Sequence, residues 1–140
     1  MAYVISSNPN DVQFEVVHGW LKTAYWSAGI RADVLRKAIA SSLVYSALDG
    51  EKQIGFARVV TDGATFAWVC DVYVDEAFRG QGIATALTKA ILADERIQTV
   101  RRVCLGTKSA HAVYEPLGFR IAPPDRFMEI LPPRERWADP

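Results

Sequence analysis

The residues best placed to do chemistry form one short polar run, Arg79-Gly80-Gln81-Gly82. The apolar residues 65–74 precede it and predict a buried strand. Ile83, Leu87 and Ile91 follow at helical spacing and predict a helix. The first turn of a helix has N–H groups without acceptors and partial positive charge, and glycine lets a ligand approach them closely. The pattern therefore predicts the binding of a phosphate or pyrophosphate.

Three kinds of glycine loop bind phosphates with comparable spacing. A Walker A loop ends in Gly-Lys-Ser/Thr, whereas this loop continues as Gly82-Ile83-Ala84-Thr85. A Rossmann loop needs a third Gly or Ala where Thr85 stands. The remaining pattern, Gln/Arg-x-x-Gly-x-Gly/Ala, is matched at every fixed position by residues 79–84. It is the pyrophosphate loop of the GNAT superfamily of acyl-CoA-dependent N-acyltransferases, which this chain resembles.

A second stretch carries the same resemblance. Superfamily members often end a helix with a Tyr-(Glu/x)-x-x-Gly-Phe run, and residues 114–119 supply one. A Gly-Phe-Ala-Arg-Val-Val-Thr-Asp run at residues 55–62 looks like a group of small bacterial members. Those members usually carry an acidic residue just before an Ala-His pair, where this chain has Ser109. The resemblance covers about residues 43–130.

The resemblance implies an N-acetyltransferase that uses acetyl-CoA and acts on a primary amine of a small molecule or a protein. It implies that the backbone of Val72, Tyr73 and Val74 binds the pantetheine arm, and that residues 79–85 hold the pyrophosphate. The implied reaction is direct attack of the neutral amine on the thioester in a ternary complex. The Val72 N–H would polarise the carbonyl, and the Tyr114 phenol would protonate the leaving thiolate.

Two further side chains are candidates for handling the amine proton. Asp71 is a carboxylate in an apolar strand, where burial without a partner or a purpose is costly. It is a candidate general base or ligand for the substrate ammonium, and an ion pair with Arg58 on the neighbouring strand is the alternative. His111 is a candidate proton relay, with a structural role as the alternative.

The acceptor pocket is expected at the top of the central strands. Its candidate lining residues are three aromatic side chains and one arginine: Trp26, Tyr45, Phe56 and Arg58. Aromatic residues in strands usually belong to the core, which is the alternative for most of them. Trp26 differs because it lies at a predicted break between two helices, where functional loops are common.

Two other classes of function remain open at this stage. A non-catalytic acyl-CoA-binding regulatory module would carry the same loop and would not need the Tyr114 phenol. A nucleotide-binding module would prefer ATP or NAD, although the loop lacks the Walker lysine and the third Rossmann glycine.

Composition argues against several partners. Lys and Arg number 16, as do Asp and Glu, so the formal net charge is zero and no basic run favours nucleic acid. No apolar run approaches the roughly 18 residues of a membrane span. The first residues lack a signal-peptide layout, so a cytoplasmic protein is expected. Cys70 and Cys104 do not have metal-site spacing, so we expect no metal and two core cysteines.

The predicted fold is a mixed α/β (α+β) sheet in a single domain over residues 1–140. The predicted strands are residues 3–6, 43–48, 53–60, 65–74 and 100–107, and the predicted helices are residues 12–23, a helix from residue 32, one after the glycine loop, and 109–117. The strand–helix–strand order around the loop implies parallel pairing of its two strands. A last hairpin of residues 119–122 and 127–131 is also expected. Superfamily members are often dimers, so the resemblance implies a homodimer.

Overall fold

The computed structural model describes residues 2–140, and its centre is a five-stranded sheet in the order β1-β2-β3-β4-β5. The strands are β1 Val4–Ser6, β2 Leu43–Asp49, β3 Lys52–Thr61, β4 Ala67–Val74 and β5 Val103–Leu105. The α-helices are α1 Phe14–Leu21, α2 Ala32–Ala40, α3 Ile83–Leu92 and α4 His111–Tyr114. Single 3-10 turns lie at Pro9–Asp11, Glu76–Phe78, Glu95–Ile97, Glu115–Leu117 and Arg134–Arg136.

The predicted mixed sheet is confirmed. β1 to β4 pair antiparallel in sequence order, and β4 pairs parallel with β5 across the α3 connection. Local side chains fix the tight turns of the meander: Asp62 Oδ1 accepts the N–H groups of Ala64 and Thr65 at 2.9 and 2.7 Å. The elements shift from the predicted bounds mainly at their ends, most clearly in β5, which is shorter than expected.

Helices cover both faces of the sheet. On one face, α3 buries the apolar stripe that its periodicity predicts. The cluster there includes Ile54, Val69, Ile83, Leu87 and Ile91. The cluster under α1 and α2 includes Val17, Leu21, Leu35, Val44 and Phe56. Alternation along the central strands assigns the two clusters to opposite faces, except that the register shift between β2 and β3 at Ile54 interrupts it, so Ile54 and Phe56 join different clusters. Within residues 2–140, no helix has the length and apolar character of a membrane span.

The predicted last hairpin is wrong. Residues 119–133 contain no strand, and in the described chain no backbone N–H of residues 120–132 donates to another backbone group. Pairs of prolines stand at residues 123–124 and 132–133, where they remove N–H donors and restrict the chain. The alternating apolar side chains that suggested strands, from Phe127 to Leu131, are exposed in this segment.

Gly55 of β3 allows α3 to approach the sheet at the helix N-terminus. A Cβ at this position would stand 3.1 Å from Ile83 Cγ2, 3.2 Å from Ala47 Cβ and 3.4 Å from Leu87 Cδ1. These atoms belong to the packed core and have little room to move. A residue with a side chain would therefore push α3, and the loop before it, away from the sheet.

Gly55→Ala should lower the free energy of unfolding by about 1–3 kcal/mol, because it overpacks this contact. Gly19→Ala is the matched control, because Gly19 lies inside α1 and, apart from its chain neighbours and the backbone of its own helix, no described atom is within 4 Å of its Cβ position. That change should raise stability by up to about 1 kcal/mol through helix propensity. Urea denaturation of both variants measures the difference; equal effects would contradict the close packing of α3.

Candidate active site

β4 contains a β-bulge near its middle. Asp71 and Val72 together lie opposite the single residue Ala57 of β3. Asp71 has φ +53° and is the one non-glycine residue of the described chain with positive φ. Aspartate tolerates this conformation better than most residues. The bulge directs Asp71 to the α1–α2 face of the sheet, while Val72 packs with the α3 cluster.

β4 and β5 separate beyond the middle of β4. Their parallel ladder ends at the pair Val69 and Leu105, so residues 70–74 have no strand partner on that side. The three residues to which the resemblance assigns the pantetheine arm lie in this stretch. A free strand edge binds an extended ligand through its main-chain groups. One group is already engaged, because the Val74 carbonyl accepts a hydrogen bond from Arg79 Nε at 3.0 Å.

The glycine loop leads from the end of β4 into the first turn of α3. Gly80 and Gly82 both have φ +79°, and no described atom lies within 4 Å of a Cβ position on either. Ala86 is the first residue of α3 whose N–H has an acceptor, the Gly82 carbonyl at 2.9 Å. Within residues 2–140, the N–H groups of residues 80–85 have none. Free amides facing open space at a helix N-terminus favour the binding of a phosphate or pyrophosphate.

Asp71 is the centre of a part-buried hydrogen-bond network. Its Oδ2 accepts from Arg58 Nε at 2.8 Å, and its Oδ1 accepts from Trp26 Nε1 at 3.0 Å. Arg58 Nη1 donates to Ser42 Oγ at 3.1 Å, and that hydroxyl donates to the Ala38 carbonyl at 2.7 Å. The network links β3 and β4 to the end of α2 and to the α1–α2 connection. This geometry favours the ion-pair alternative for Asp71.

The α1–α2 connection brings two exposed aromatic side chains beside this network. Trp26 is 42% exposed, and its ring centroid lies 6.5 Å from that of Tyr73 in the free stretch of β4. Tyr25 packs edge-on against Trp26 with centroids 5.1 Å apart. Lys108 Nζ, in the loop after β5, lies 5.5 Å from the Tyr25 centroid. Three segments distant in sequence therefore meet at the open end of β4.

Tyr114 ends α4 with its ring buried and edge-on to Phe119. In the described chain the Tyr114 hydroxyl has no hydrogen-bond partner. Every fully buried side-chain polar atom of the described chain has a partner, so this hydroxyl is not fully buried. Burial raises the pKa of Tyr114, so the phenol stays protonated at neutral pH. Tyr114 and the exposed His111 line a cavity of about 580 Å³ between β5, α4 and the following segment.

The prediction that Tyr45 and Phe56 line the acceptor pocket is wrong. Tyr45 is 1% exposed and Phe56 is 0% exposed, so neither reaches a pocket. The Tyr45 hydroxyl donates to Asp94 Oδ2 at 2.7 Å under the end of α3, and Phe56 packs under α1 and α2. Because helices cover both faces of these central strands, their aromatic residues belong to the core.

Neither cysteine forms a disulfide in this fold. Cys70 and Cys104 are free and partly buried, and burial raises the pKa of the Cys70 thiol to about 11. Among residues 2–140, no group of three or more His, Cys, Asp or Glu side chains is arranged to hold a metal ion.

Two residues around the site escaped prediction. Ser42 looked like an ordinary residue after a helix. Its role depends on the pairing of β2 with β3, which brings Arg58 to its hydroxyl. Lys108 carried a usable signal, since it lies a short distance before the Tyr114 motif, but a single surface lysine has many ordinary explanations.

Comparison with known proteins places these features in a family. The model of the acetyltransferase (GNAT) domain matches residues 40–121, which run from the end of α2 to just beyond α4. GCN5-related N-acetyltransferase 2, chloroplastic, from Arabidopsis thaliana is 31% identical over 109 residues, covering 74% of this chain and 42% of that protein. The chain spans about half the length of the curated relatives it matches.

Solved structures show the same architecture. A GNAT-family protein from Xanthomonas campestris pv. campestris has a TM-score of 0.90 at 32% identity, with 96% of each chain covered. An acetyltransferase from Clostridium acetobutylicum, solved with acetyl-CoA, shares the fold with a TM-score of 0.68 at 16% identity, covering 93% of this chain and 95% of that one. The matched range holds the bulged strand, the glycine loop and Tyr114, and this chain belongs to the GNAT family of acetyltransferases.

Proposed function

We propose that this protein is an N-acetyltransferase that moves the acetyl group of acetyl-CoA to a primary amine by direct attack in a ternary complex. The observation that carries the proposal is the continuity of two sets of backbone groups. One is the edge of residues 70–74, which has no strand partner and of which Arg79 engages the Val74 carbonyl; the other is the free N–H groups of residues 80–85. CoA joins an extended amide arm to a pyrophosphate, so one ligand matches both sets. ATP or NAD would use the second set alone.

Three residues of this chain have roles in the proposed reaction. Acetyl-CoA supplies an acyl group activated as a thioester. We assign the Val72 N–H, in the bulge of β4, to the carbonyl oxygen that gains charge during attack. Tyr114 donates its phenolic proton to the departing thiolate, and burial of its ring keeps the phenol protonated until then. His111, exposed on the same cavity, passes the amine proton to solvent.

Asp71 acts as a positioning residue in this proposal. Both of its carboxylate oxygens are engaged, and the Arg58 charge balances its own. What the pair holds in place is the positive φ of Asp71, and with it the direction of the next N–H group, that of Val72. Loss of the pair would leave the bulge free to relax toward a regular strand.

The proposed acceptor is a monoamine with an apolar or aromatic body. Such a body can stack on the exposed rings of Tyr25 and Trp26 beside the free stretch of β4. The charged side chains stacked on these aromatic residues and on Tyr73 are Lys108 and Arg79, both cations. The carboxylate in contact with Trp26 is already paired with Arg58. A polycationic acceptor therefore meets repulsion here without a free carboxylate to offset it.

Gly82→Ala should weaken CoA binding about tenfold or more, because a Cβ would stand in the open space that faces the free amides. Gly50→Ala is a matched control, since Gly50 also has positive φ and open space around its Cβ position but lies in the β2–β3 turn. Both changes should cost a similar 1–2 kcal/mol of stability through the left-handed conformation. Calorimetric titration with CoA should separate them; equal CoA affinities would remove the loop from the binding site.

Release of free thiol from acetyl-CoA, measured with a panel of amines, tests catalysis directly. Aromatic and apolar monoamines should turn over faster than spermidine or an aminoglycoside. Tyr114→Phe should lower kcat roughly 10²-fold with unchanged CoA affinity, because it removes the proton donor. Tyr45→Phe, which alters another buried tyrosine, should leave kcat unchanged. CoA binding with no turnover of any amine, and no effect of Tyr114→Phe, would establish the non-catalytic acyl-CoA-binding module instead.

Asp71→Asn should lower the free energy of unfolding by roughly 3 kcal/mol, because it leaves the Arg58 guanidinium part-buried without its charge partner. It should also lower kcat without changing the shape of the pH–rate profile. Arg58→Met should reproduce the loss of kcat, because the two side chains act as a unit. If Asp71 were the base, Asp71→Asn alone would abolish the acidic limb of the profile, and Arg58→Met would retain activity.

A further inference from the structure

Residues 134–139 pack against the α1–α2 connection, residues 22–31, although about a hundred residues separate the two segments along the chain. They form an antiparallel bridge between Ile30 and Ala138, and Ala138 is buried. Two backbone hydrogen bonds flank the bridge, from the Arg31 N–H to the Trp137 carbonyl at 3.0 Å and from the Asp139 N–H to the Gly29 carbonyl at 2.7 Å. The connection therefore has a partner outside the two helices that it joins.

The Arg134 side chain adds two further hydrogen bonds to this contact. Its Nη2 donates to the Ala28 carbonyl at 2.7 Å, and its Nη1 donates to the Asp139 carbonyl at 2.9 Å. The guanidinium lies beside Gly29, which has φ +80° and where a Cβ would stand 2.3 Å from Nη2. One charged side chain thus joins both segments, in space that a residue larger than glycine would fill.

The hydrogen bonds of residues 134–139 converge on the α1–α2 connection. In the described part of the chain, the others lie within their own turn, and none goes to residues 70–85. The stretch before them gives no backbone anchor, because residues 120–132 donate no hydrogen bond to another backbone group of the described chain. Loss of the Arg134 side chain should therefore loosen the connection and leave the backbone assigned to CoA unchanged.

The α1–α2 connection carries the aromatic wall formed by Tyr25 and Trp26. These side chains are 62% and 42% exposed, so their position depends on the backbone that carries them. Asp71 Oδ1 holds the Trp26 indole at 3.0 Å, and bonds within the connection tie it to α1. Two residues beyond Trp26, toward α2, Arg134 binds the Ala28 carbonyl. The wall is thus held from the sheet on one side and from Arg134 on the other.

We propose that Arg134 is a positioning residue for the amine acceptor. By joining residues 134–139 to the α1–α2 connection, it holds the aromatic wall at the distance from β4 that a stacked acceptor needs. The inference rests on the proposed function, which assigns the acceptor to this wall. Arg134 acts through the connection and not on the reacting atoms, so its loss should weaken acceptor binding and spare both CoA binding and the chemical step.

Arg134→Met keeps the apolar stem of the side chain and removes its donors. It should raise the KM for phenylethylamine about tenfold, as expected for the loss of charge-assisted hydrogen bonds. The kcat and the calorimetric dissociation constant of CoA should not change. Arg134→Lys keeps one charged donor and should restore part of the loss. An unchanged KM, or an equal loss of CoA affinity, would contradict this role.

Arg136→Met is the matched control for this change. Arg136 lies in the same 3-10 turn, and within the described residues its side chain makes no hydrogen bond or ion pair. Its KM for phenylethylamine should equal that of the unmodified protein. A rise in KM equal to that of Arg134→Met would assign the effect to charge in this turn and overturn the inference.

Gly29→Ala tests the same contact from the other segment, because its Cβ would displace the guanidinium. Gly63→Ala is its control, since Gly63 has φ +75° and, apart from its chain neighbours, the nearest described atom lies 3.6 Å from its Cβ position. Gly29→Ala should raise the KM as Arg134→Met does, and Gly63→Ala should not. The double variant Gly29→Ala, Arg134→Met should be no worse than the worse single one, because both act on one contact. Additive effects on KM would exclude that shared contact.

Hydrogen exchange measures the contact without turnover. The Arg31 amide, which donates to the Trp137 carbonyl, should exchange about tenfold faster in Arg134→Met, while the amides of β3 keep their protection. An unchanged rate at Arg31 overturns the inference whether or not the enzyme is active. No turnover of any amine by the unmodified protein would overturn the proposed function and this role with it. Turnover with an unchanged KM in Arg134→Met would overturn this inference alone.

Discussion

The site depends on the fact that β4 has two unequal neighbours. β3 pairs with it along most of its length, whereas β5 pairs with it at three residues. Backbone donors and acceptors are costly to leave without partners. Those beyond Val69 on the side away from β3 must therefore be satisfied by water or a ligand, apart from the Val74 carbonyl, which Arg79 engages. The glycine loop extends this row, because the free N–H groups of residues 80–85 follow directly after the strand. A ligand that lies along β4 and ends in an anion therefore completes bonding that folding leaves unfinished.

The bulge sets the direction in which the free backbone groups of β4 point, and the Asp71–Arg58 pair holds the bulge in place. A non-glycine residue with positive φ costs about 1–2 kcal/mol, so the surrounding contacts must compensate. Here two charge-assisted hydrogen bonds do so, from Arg58 and from the Trp26 indole. Because Trp26 belongs to another segment, the same carboxylate that fixes the strand also fixes the aromatic wall formed by Tyr25 and Trp26 beside it. Strand geometry and the position of the aromatic wall are thus coupled through one side chain.

The parts of the site that rest on local backbone conformation could be predicted from the sequence, and the parts that rest on strand register could not. Gly80 and Gly82 act through their own φ angles and the helix start after them, so their spacing was enough. The ion pair of Asp71 with Arg58 was named from the sequence as one of two alternatives, and the structure shows it. The bulge that gives Asp71 its positive φ depends on one inserted residue, which leaves no mark in the apolar pattern. The prediction that Tyr45 and Phe56 line the acceptor pocket failed for a related reason. A sheet covered on both faces buries its aromatic residues whichever way they point.

The length of β5 is limited by the gap that it leaves beside β4. It is three residues long, and longer pairing with β4 would close the gap that residues 70–74 leave for a ligand. Its inner side therefore cannot be strengthened without loss of the site. The shortness of β5 is therefore a condition of the site, because the gap beside residues 70–74 exists only where the parallel pairing with β4 stops.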